Sequence, residues 1–410
     1  MTSAAEPLHR NPVSPENLLN PLPFYADLRE NDPVHWSDVI QAWIITRHED
    51  VTNYFRDSRL SADRTHAFER QFQGRTDVIQ DFLRAARMQM MNKDGAEHLR
   101  LRRLANPGFS PQSLDAWRPA IRRTAEHLVE QVQAQGRMDL AKEFSYQFPV
   151  RVIAELMAVP TEDRRRFQQW AEPVADFVSP SPGADIMEVA RRANDAMRDI
   201  CNYLAEVVEQ RRHTPGNDIL SQMIHAQEGG RMSVDELVSN AMLVLSAGHL
   251  TTTDQLSNGV HELLSHPEQL RMLRESPELM KSAVEEMLRF CPPLLFTQRV
   301  VAETFVLHGR TLRKGDMVFL GLASANRDPR AFPDPDRFDI TRDNTRQKHM
   351  TFAFGPHHCL GAGLARRELE VAFEVLLERL PGLRLDEAQP PRPKCDSLLF
   401  RGFNSLPVKW

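Results

Sequence analysis

The segment Phe352-Ala353-Phe354-Gly355-Pro356-His357-His358-Cys359-Leu360-Gly361 is where this sequence gathers its chemistry. Turn-forming residues run up to the cysteine. The helix expected after it opens on small residues, Gly361, Ala362, Gly363 and Ala365, over which something flat and bulky could lie. A helix N-terminus and two adjacent histidines favour negative charge, so Cys359 reads as a thiolate. A lone cysteine is also commonly just a small buried hydrophobe. A zinc site would need three or four spaced ligands, and the sequence offers no second cluster. On the chemical side, what remains is a single thiolate ligand to one metal.

A second unusual run, Ala247-Gly248-His249-Leu250-Thr251-Thr252-Thr253, falls in the middle of the longest helical pattern. Ser233-x-x-Glu236 has the form of a capping box, and the apolar period continues to Ser265, where His266-Pro267 stops it. Roughly 31 residues would span ~47 Å, the width of a domain, which sends this helix through the core. Glycine and β-branched residues weaken a helix interior. Either the irregularity is tolerated, or the helix opens locally against a ligand, with Gly248 allowing close approach and hydroxyls facing a cavity.

These two runs need a scaffold. Residues from about 110 to 290 read almost wholly as helix, with breaks at 179–183 and 214–216. Short strands are expected at 43–46, 304–307 and 317–320. No linker divides the 410 residues, so residues 1–410 are expected to form one large domain, mainly α with a small β region. With 51 Lys+Arg against 56 Asp+Glu, net charge −5, nucleic acid is not an expected partner. No apolar run reaches the ~20 residues that cross a bilayer, and Met1 to Asn20 lacks a signal-peptide core. Four scattered cysteines argue for a reducing compartment, and so for a soluble cytoplasmic protein.

The cysteine segment resembles the heme-binding loop of the cytochrome P450 superfamily at Phe352, Gly355, His357, Cys359 and Gly361. Three further signatures follow the family's order. Glu286-Met287-Leu288-Arg289 looks like its Glu-x-x-Arg helix motif. Asn326-Arg327-Asp328-Pro329, with Phe332, Pro335, Asp336 and Phe338, looks like the stretch whose arginine, Arg327, completes that network. His98-Leu99-Arg100-Leu101-Arg102-Arg103 resembles the helix that reaches the heme propionates. The ending Arg401 to Val408 is similar to the soluble bacterial branch. The resemblance implies the single, triangular P450 fold, with heme b (iron protoporphyrin IX) between the long distal helix and the Cys-loop helix. It implies Cys359 as metal ligand, and His98, Arg102, Arg299, His357, Ala247, Phe352 and Gly361 around the heme. A cysteinate pushes electron density onto iron and favours O–O cleavage.

One departure stands out. The family's distal helix usually carries an acid before its threonine to supply protons, and here Leu250 precedes Thr251. Asp254, one turn on, and adjacent His249 are the protein's own candidates to substitute, a group of the substrate being the other; the alternative for Asp254 is a plain ion pair with a cation elsewhere, and Thr251 is expected to keep its role. The resemblance further implies an apolar substrate pocket including Met90, Leu243, Leu250, Leu295, Phe296 and Leu399. It implies hydroxylation or epoxidation with O2, and an apolar small-molecule substrate of secondary-metabolite type, free or carrier-protein-bound. Electrons would come from ferredoxin and ferredoxin reductase, docking at Arg100, Arg103, Arg366 and Arg367. Oxidative coupling, desaturation or a peroxide-driven reaction on the same fold is the alternative, because these do not need an acid at position 250.

Overall fold

The computed structural model describes residues 10–410 except 73, 161, 162, 217, 345 and 346, so part of the polar start read above lies outside it. Ser233 caps the long helix Val234–Ser265 as expected: its Oγ accepts the Glu236 N–H at 3.1 Å, and Glu236 Oε2 accepts the Ser233 N–H at 2.9 Å. The helix runs without a break through residues 247–253. It does not open.

Against it pack Gln147–Leu156 and Ile186–His213; Pro111–Val132 lies on the first of these, and Arg164–Val178 on both, joined to Ile186–His213 across the 179–183 break. The helix Ala362–Arg379, which follows the cysteine loop, also lies against the long helix. Gly259 allows this approach, since a Cβ there would stand 2.9 Å from the Phe373 ring and 3.1 Å from Met287 Sδ. Thr252 donates to the buried Glu368 carboxyl, whose pKa burial raises, tying the same two helices by a polar contact.

The β region is a five-stranded sheet in the order Val34–Ser37, Ala42–Ile45, Met317–Gly321, Phe296–Val301, Leu60–Ser61. Only the pair Ala42–Ile45 and Met317–Gly321 is parallel. Residues 305–307 form a separate hairpin with 310–312. Within the helical stretch the structure adds one strand, Arg137–Asp139, paired with Pro407–Lys409. Among the described residues no helix is long and apolar enough to cross a membrane.

A buried ionic network ties the helix Met280–Phe290 to the loops that follow the sheet. Arg289 meets Glu286 with two contacts of 2.8 Å, both side chains being fully buried, and donates to the carbonyls of Asn326, Pro335 and Arg337. The second arginine on Glu286 is Arg342, at 3.1 Å, not Arg327. Arg327 donates to the Phe290 carbonyl, lies over its ring, and pairs with exposed Asp336. The assignment of Arg327 to the Glu286 network is therefore corrected to Arg342.

Removing one partner of a buried pair leaves the other charge uncompensated. Arg289→Ala should cost about 3–5 kcal/mol by that argument. Asp336→Asn, at a 77% exposed carboxylate, should cost less than about 1 kcal/mol. Urea unfolding of both variants measures the contrast.

Candidate active site

Cys359 sits in the turn between Phe352 and the helix Ala362–Arg379, its N–H donating to the Phe352 carbonyl at 2.8 Å. Ala353 holds the turn in the left-handed region at φ +58, a conformation that costs a residue with a Cβ about 1 kcal/mol. Cys359 faces open space although the protein surrounds it at longer range. That enclosure pushes its thiol pKa up. The amides of Gly361 and Ala362 and the Arg102 and Arg366 guanidiniums pull it back only in part. The net shift is upward, away from the standing thiolate the sequence suggests; a coordinated metal would reverse it, because coordination deprotonates a thiol outright.

Ala247 is exposed in the middle of a helix that is otherwise core, and Thr251, one turn on, is half-buried. These two small residues share one face of the long helix. The Thr251 hydroxyl donates to the Ala247 carbonyl at 2.8 Å, which absorbs the donor without bending the helix. Gly248 faces elsewhere: a Cβ there would meet Ile153 at 3.3 Å, so the glycine admits helix Gln147–Leu156 rather than a ligand.

A group of cations converges with very little negative charge. His98 and Arg102 lie one turn apart on Gly95–Ala105, and Arg299 lies on the strand Phe296–Val301. The His98 ring stacks on His357 at 3.9 Å between centroids, and its Nδ1 has no partner. Burial, then His357 and Arg102, hold the His98 pKa down at about 4. Burial, then Arg64, bring Arg299 down to about 10. Arg64, at the start of the helix Thr65–Gln71, was not picked out by sequence reasoning. It is also lowered to about 10 by burial, and its guanidinium rests on the Asn92 side-chain carbonyl at 2.9 Å. Two carboxylates are in reach: Asp63 acts on Arg64, and Asp94, 3.7 Å from His357, is already engaged by Ser61 and the Ala62 N–H. Such a cluster is complementary to a dianion.

The family description "Cytochrome P450" matches residues 65–402. The chain belongs to the cytochrome P450 family. A vitamin D(3) 25-hydroxylase of Pseudonocardia autotrophica is 39% identical over 394 residues, spanning 95% of this chain and 93% of that one. The polyketide biosynthesis cytochrome P450 PksS of Bacillus subtilis is 34% identical over 411 residues, 98% and 99% of the two chains. The solved structure of P450BioI in complex with a hexadec-9Z-enoic acid ligated acyl carrier protein superposes with TM-score 0.88 at 34% identity, over 96% of this chain and 100% of that one.

Cytochromes P450 are heme b monooxygenases, and the residues of this P450 fit that group. The orphaned His98 Nδ1 and the underpaired Arg64, Arg102 and Arg299 suit two propionates, while Cys359 and the exposed Ala247 suit the two faces of a flat ring.

The remaining site candidates separate. The Met90 N–H donates to Asn240 Oδ1 at 2.9 Å, which sets it beside the long helix one turn before Leu243. The Leu295 N–H donates to the Leu399 carbonyl at 2.8 Å, joining those two segments. The Phe296 ring is enclosed by Tyr25 and Phe319 in the core. Leu250 and Asp254 line a cleft whose wall includes neither Ala247 nor Thr251. His249 packs edge-on to Tyr146 beside Ile153 and Phe167, and donates to the Tyr146 carbonyl. It is turned away from the Ala247–Thr251 face.

Burial holds the His249 pKa at about 4, against 6.5 for an ordinary histidine. A base depressed in the folded state contributes stability that is present above the unfolded value and is lost as pH falls towards the folded one. His249→Phe should thus show a smaller stability deficit at pH 5 than at pH 7, by about 1–2 kcal/mol. Urea unfolding at the two pH values checks it.

Proposed function

We propose that this P450 inserts one oxygen atom from O2 into a largely apolar substrate of secondary-metabolite type, with electrons from a ferredoxin and its reductase. The observation that carries the reading is the exposed Cys359 ahead of helix Ala362–Arg379, with Arg102 near enough to lower its pKa and the stacked His98 and His357 in the same cation cluster. When bound, the heme supplies the activation of dioxygen. Arg64, Arg102, Arg299 and His98 would hold its carboxylates, and His357 would orient His98 by stacking. Thr251 would hold a water or a proton at Oγ1, because its hydroxyl, while donating to Ala247, still has lone pairs to accept. Met90, Leu243, Leu295 and Leu399 would wall the substrate space, and their aliphatic character favours an apolar molecule over a charged one. The relatives' names support secondary metabolism as the setting, and P450BioI's acyl carrier protein supports a tethered substrate as one form.

Docking of an acidic ferredoxin would depend on fewer charges than the sequence offers. Arg100 pairs with Glu236, Arg366 with Glu285 and Arg367 with Asp115. Arg103 is exposed and has no carboxylate partner among the described residues. Steering would therefore rest mostly on Arg103.

A second reading, peroxide-driven chemistry or oxidative coupling, is favoured by one observation: position 250 offers only an aliphatic side chain. Product formed with hydrogen peroxide in place of the reductase, at a rate matching the ferredoxin-fed one, would select it.

The reduced protein with carbon monoxide should show the red-shifted Soret band that thiolate ligation gives. Cys359→Ser should lose it, while Cys201→Ala, Cys291→Ala and Cys395→Ala should keep it. Wild-type protein with full heme content and no shifted band would overturn the reading.

A further inference from the structure

Position 240 of the long helix carries an amide where its neighbours, Ala241 and Met242, are plain core. Asparagine is a weak helix former, and a buried amide costs free energy unless its groups are bonded. Asn240 is 0% exposed, and its amide is saturated. Nδ2 donates to the Glu236 carbonyl, one turn back, at 2.8 Å and to the Met88 carbonyl at 2.9 Å. Oδ1 accepts the Met90 N–H at 2.9 Å. Two carbonyls on the nitrogen and one N–H on the oxygen leave the amide a single orientation.

These bonds clamp the chain on both sides of Gln89, which joins the helix Gln80–Met88 to the turn Met90–Asn92. Gln89 is extended, and its Nε2 lies 3.4 Å from Met242 Sδ, also on the long helix. The far end of the turn is fastened as well: Asn92 Nδ2 donates to the Ala86 carbonyl at 3.0 Å, and its Oδ1 accepts from Arg64. Between the two fastenings stands Met91, 38% exposed, while Met90 and Asn92 are buried. The bonds of its neighbours, rather than enclosure of its own side chain, set where Met91 stands.

Asn240, Leu243, Ala247 and Thr251 follow one another at three- and four-residue steps, so they share a face of the helix. Seven residues put Asn240 about 10 Å along the axis from Ala247. The turn it holds therefore stands near the far end of that face.

We propose that Asn240 is a positioning residue for substrate specificity: it fixes the Met90–Asn92 turn, and with it Met91, at the far end of the ligand space, and so sets which long apolar molecules are admitted. The proposal rests on the P450 reading. Asn240 itself touches no substrate, and its influence grows with the reach of the ligand. A small group bound at the cofactor is indifferent to the turn, and a chain of about 10 Å meets it.

Nitrogen ligands added to the heme-loaded protein test this. Imidazole and 1-octylimidazole share the group that binds a heme iron and differ in the chain behind it. In optical titration the wild type should prefer the octyl compound. Asn240→Ala should cut that preference at least fivefold and leave imidazole affinity within twofold of wild type. Asn240→Asp, which keeps the volume and the acceptor for the Met90 N–H, should cut it by less. Met91→Ala, with the clamp intact, should cut it as Asn240→Ala does, and decides the matter with Asn240→Asp if the alanine variant fails to fold. Hydrogen exchange reads the clamp directly: in Asn240→Ala, residues 88–92 should exchange at least tenfold faster, and 255–263 at the wild-type rate. Faster exchange with an unchanged octyl preference leaves Asn240 a purely structural role and overturns the proposal. So does an unchanged exchange rate at 88–92, or a Met91→Ala variant with the wild-type preference. Carbon monoxide spectra of the same samples separate the two failures: a normal thiolate band with an unchanged preference sinks the positioning role alone, and a missing band in fully heme-loaded wild type sinks the P450 reading.

Discussion

Arg64, Arg102 and Arg299 are held together inside a medium of low dielectric with little opposing charge, and the fold around them depends on something that cancels it. An enclosed cation loses solvation, and its neighbours of like sign add repulsion; burial is the first cause of every downward shift in this group. Asp63 acts on Arg64 alone, and Asp94, raised by burial but drawn down overall by His357 and Ser61, is already committed to those partners. Polypeptide sequences seldom retain such an arrangement unless a bound anion belongs there. Heme propionates would meet that need, and a metal bound at Cys359 would hold its sulfur as an anion. Cofactor and protein would thus complete each other electrostatically.

The buried Glu286–Arg289–Arg342 network holds the other side of the site by a traceable route. Arg289 grips the Asn326 carbonyl, the Asn326 side chain accepts the Met350 N–H at 2.6 Å and donates to Thr351 Oγ1 at 2.9 Å, and Thr351 donates to the Leu288 carbonyl at 2.6 Å. Met350 and Thr351 lead directly into the cysteine turn. Glu285, beside Glu286, adds a second hold by pairing with His349 and with Arg366, whose guanidinium covers the Phe352 ring at 4.5 Å. The turn that presents Cys359 is therefore fixed from the helix Met280–Phe290 at several points. Strain at Ala353 can be tolerated there because the surroundings determine the backbone.

What was legible in the sequence follows from the range of each interaction. The capping box at Ser233, the stop at His266-Pro267 and the cysteine turn are local, and the structure has them where the residues put them. The two strands that build the centre of the sheet were visible as β-branched and aromatic runs, though their parallel pairing was not. Long-range partners were harder to see. Arg327 and Arg342 both follow the Glu286 helix by tens of residues, and nothing local says which guanidinium reaches the carboxylate. Arg64 sits in an ordinary polar stretch, and only the fold brings it to Arg299. Gly248 looks like a ligand contact in sequence, yet it serves a helix crossing at Ile153, because a residue's facing depends on which neighbours surround the helix.

The long helix shows why one substitution can leave the rest of the site intact. At 3.6 residues per turn, successive positions address different compartments. Ala247 and Thr251 share one partly open face, Gly248 and His249 face the packing against Gln147–Leu156, and Leu250 with Asp254 line the rear cleft. Placing leucine at position 250 therefore changes the rear face while leaving the cavity face and the helix crossing untouched. The rear face is also where this chain keeps a lysine–carboxylate pair and two unpartnered polar atoms. Burial is the main reason the Asp254 pKa is raised, to about 6, against the opposing pull of Lys394.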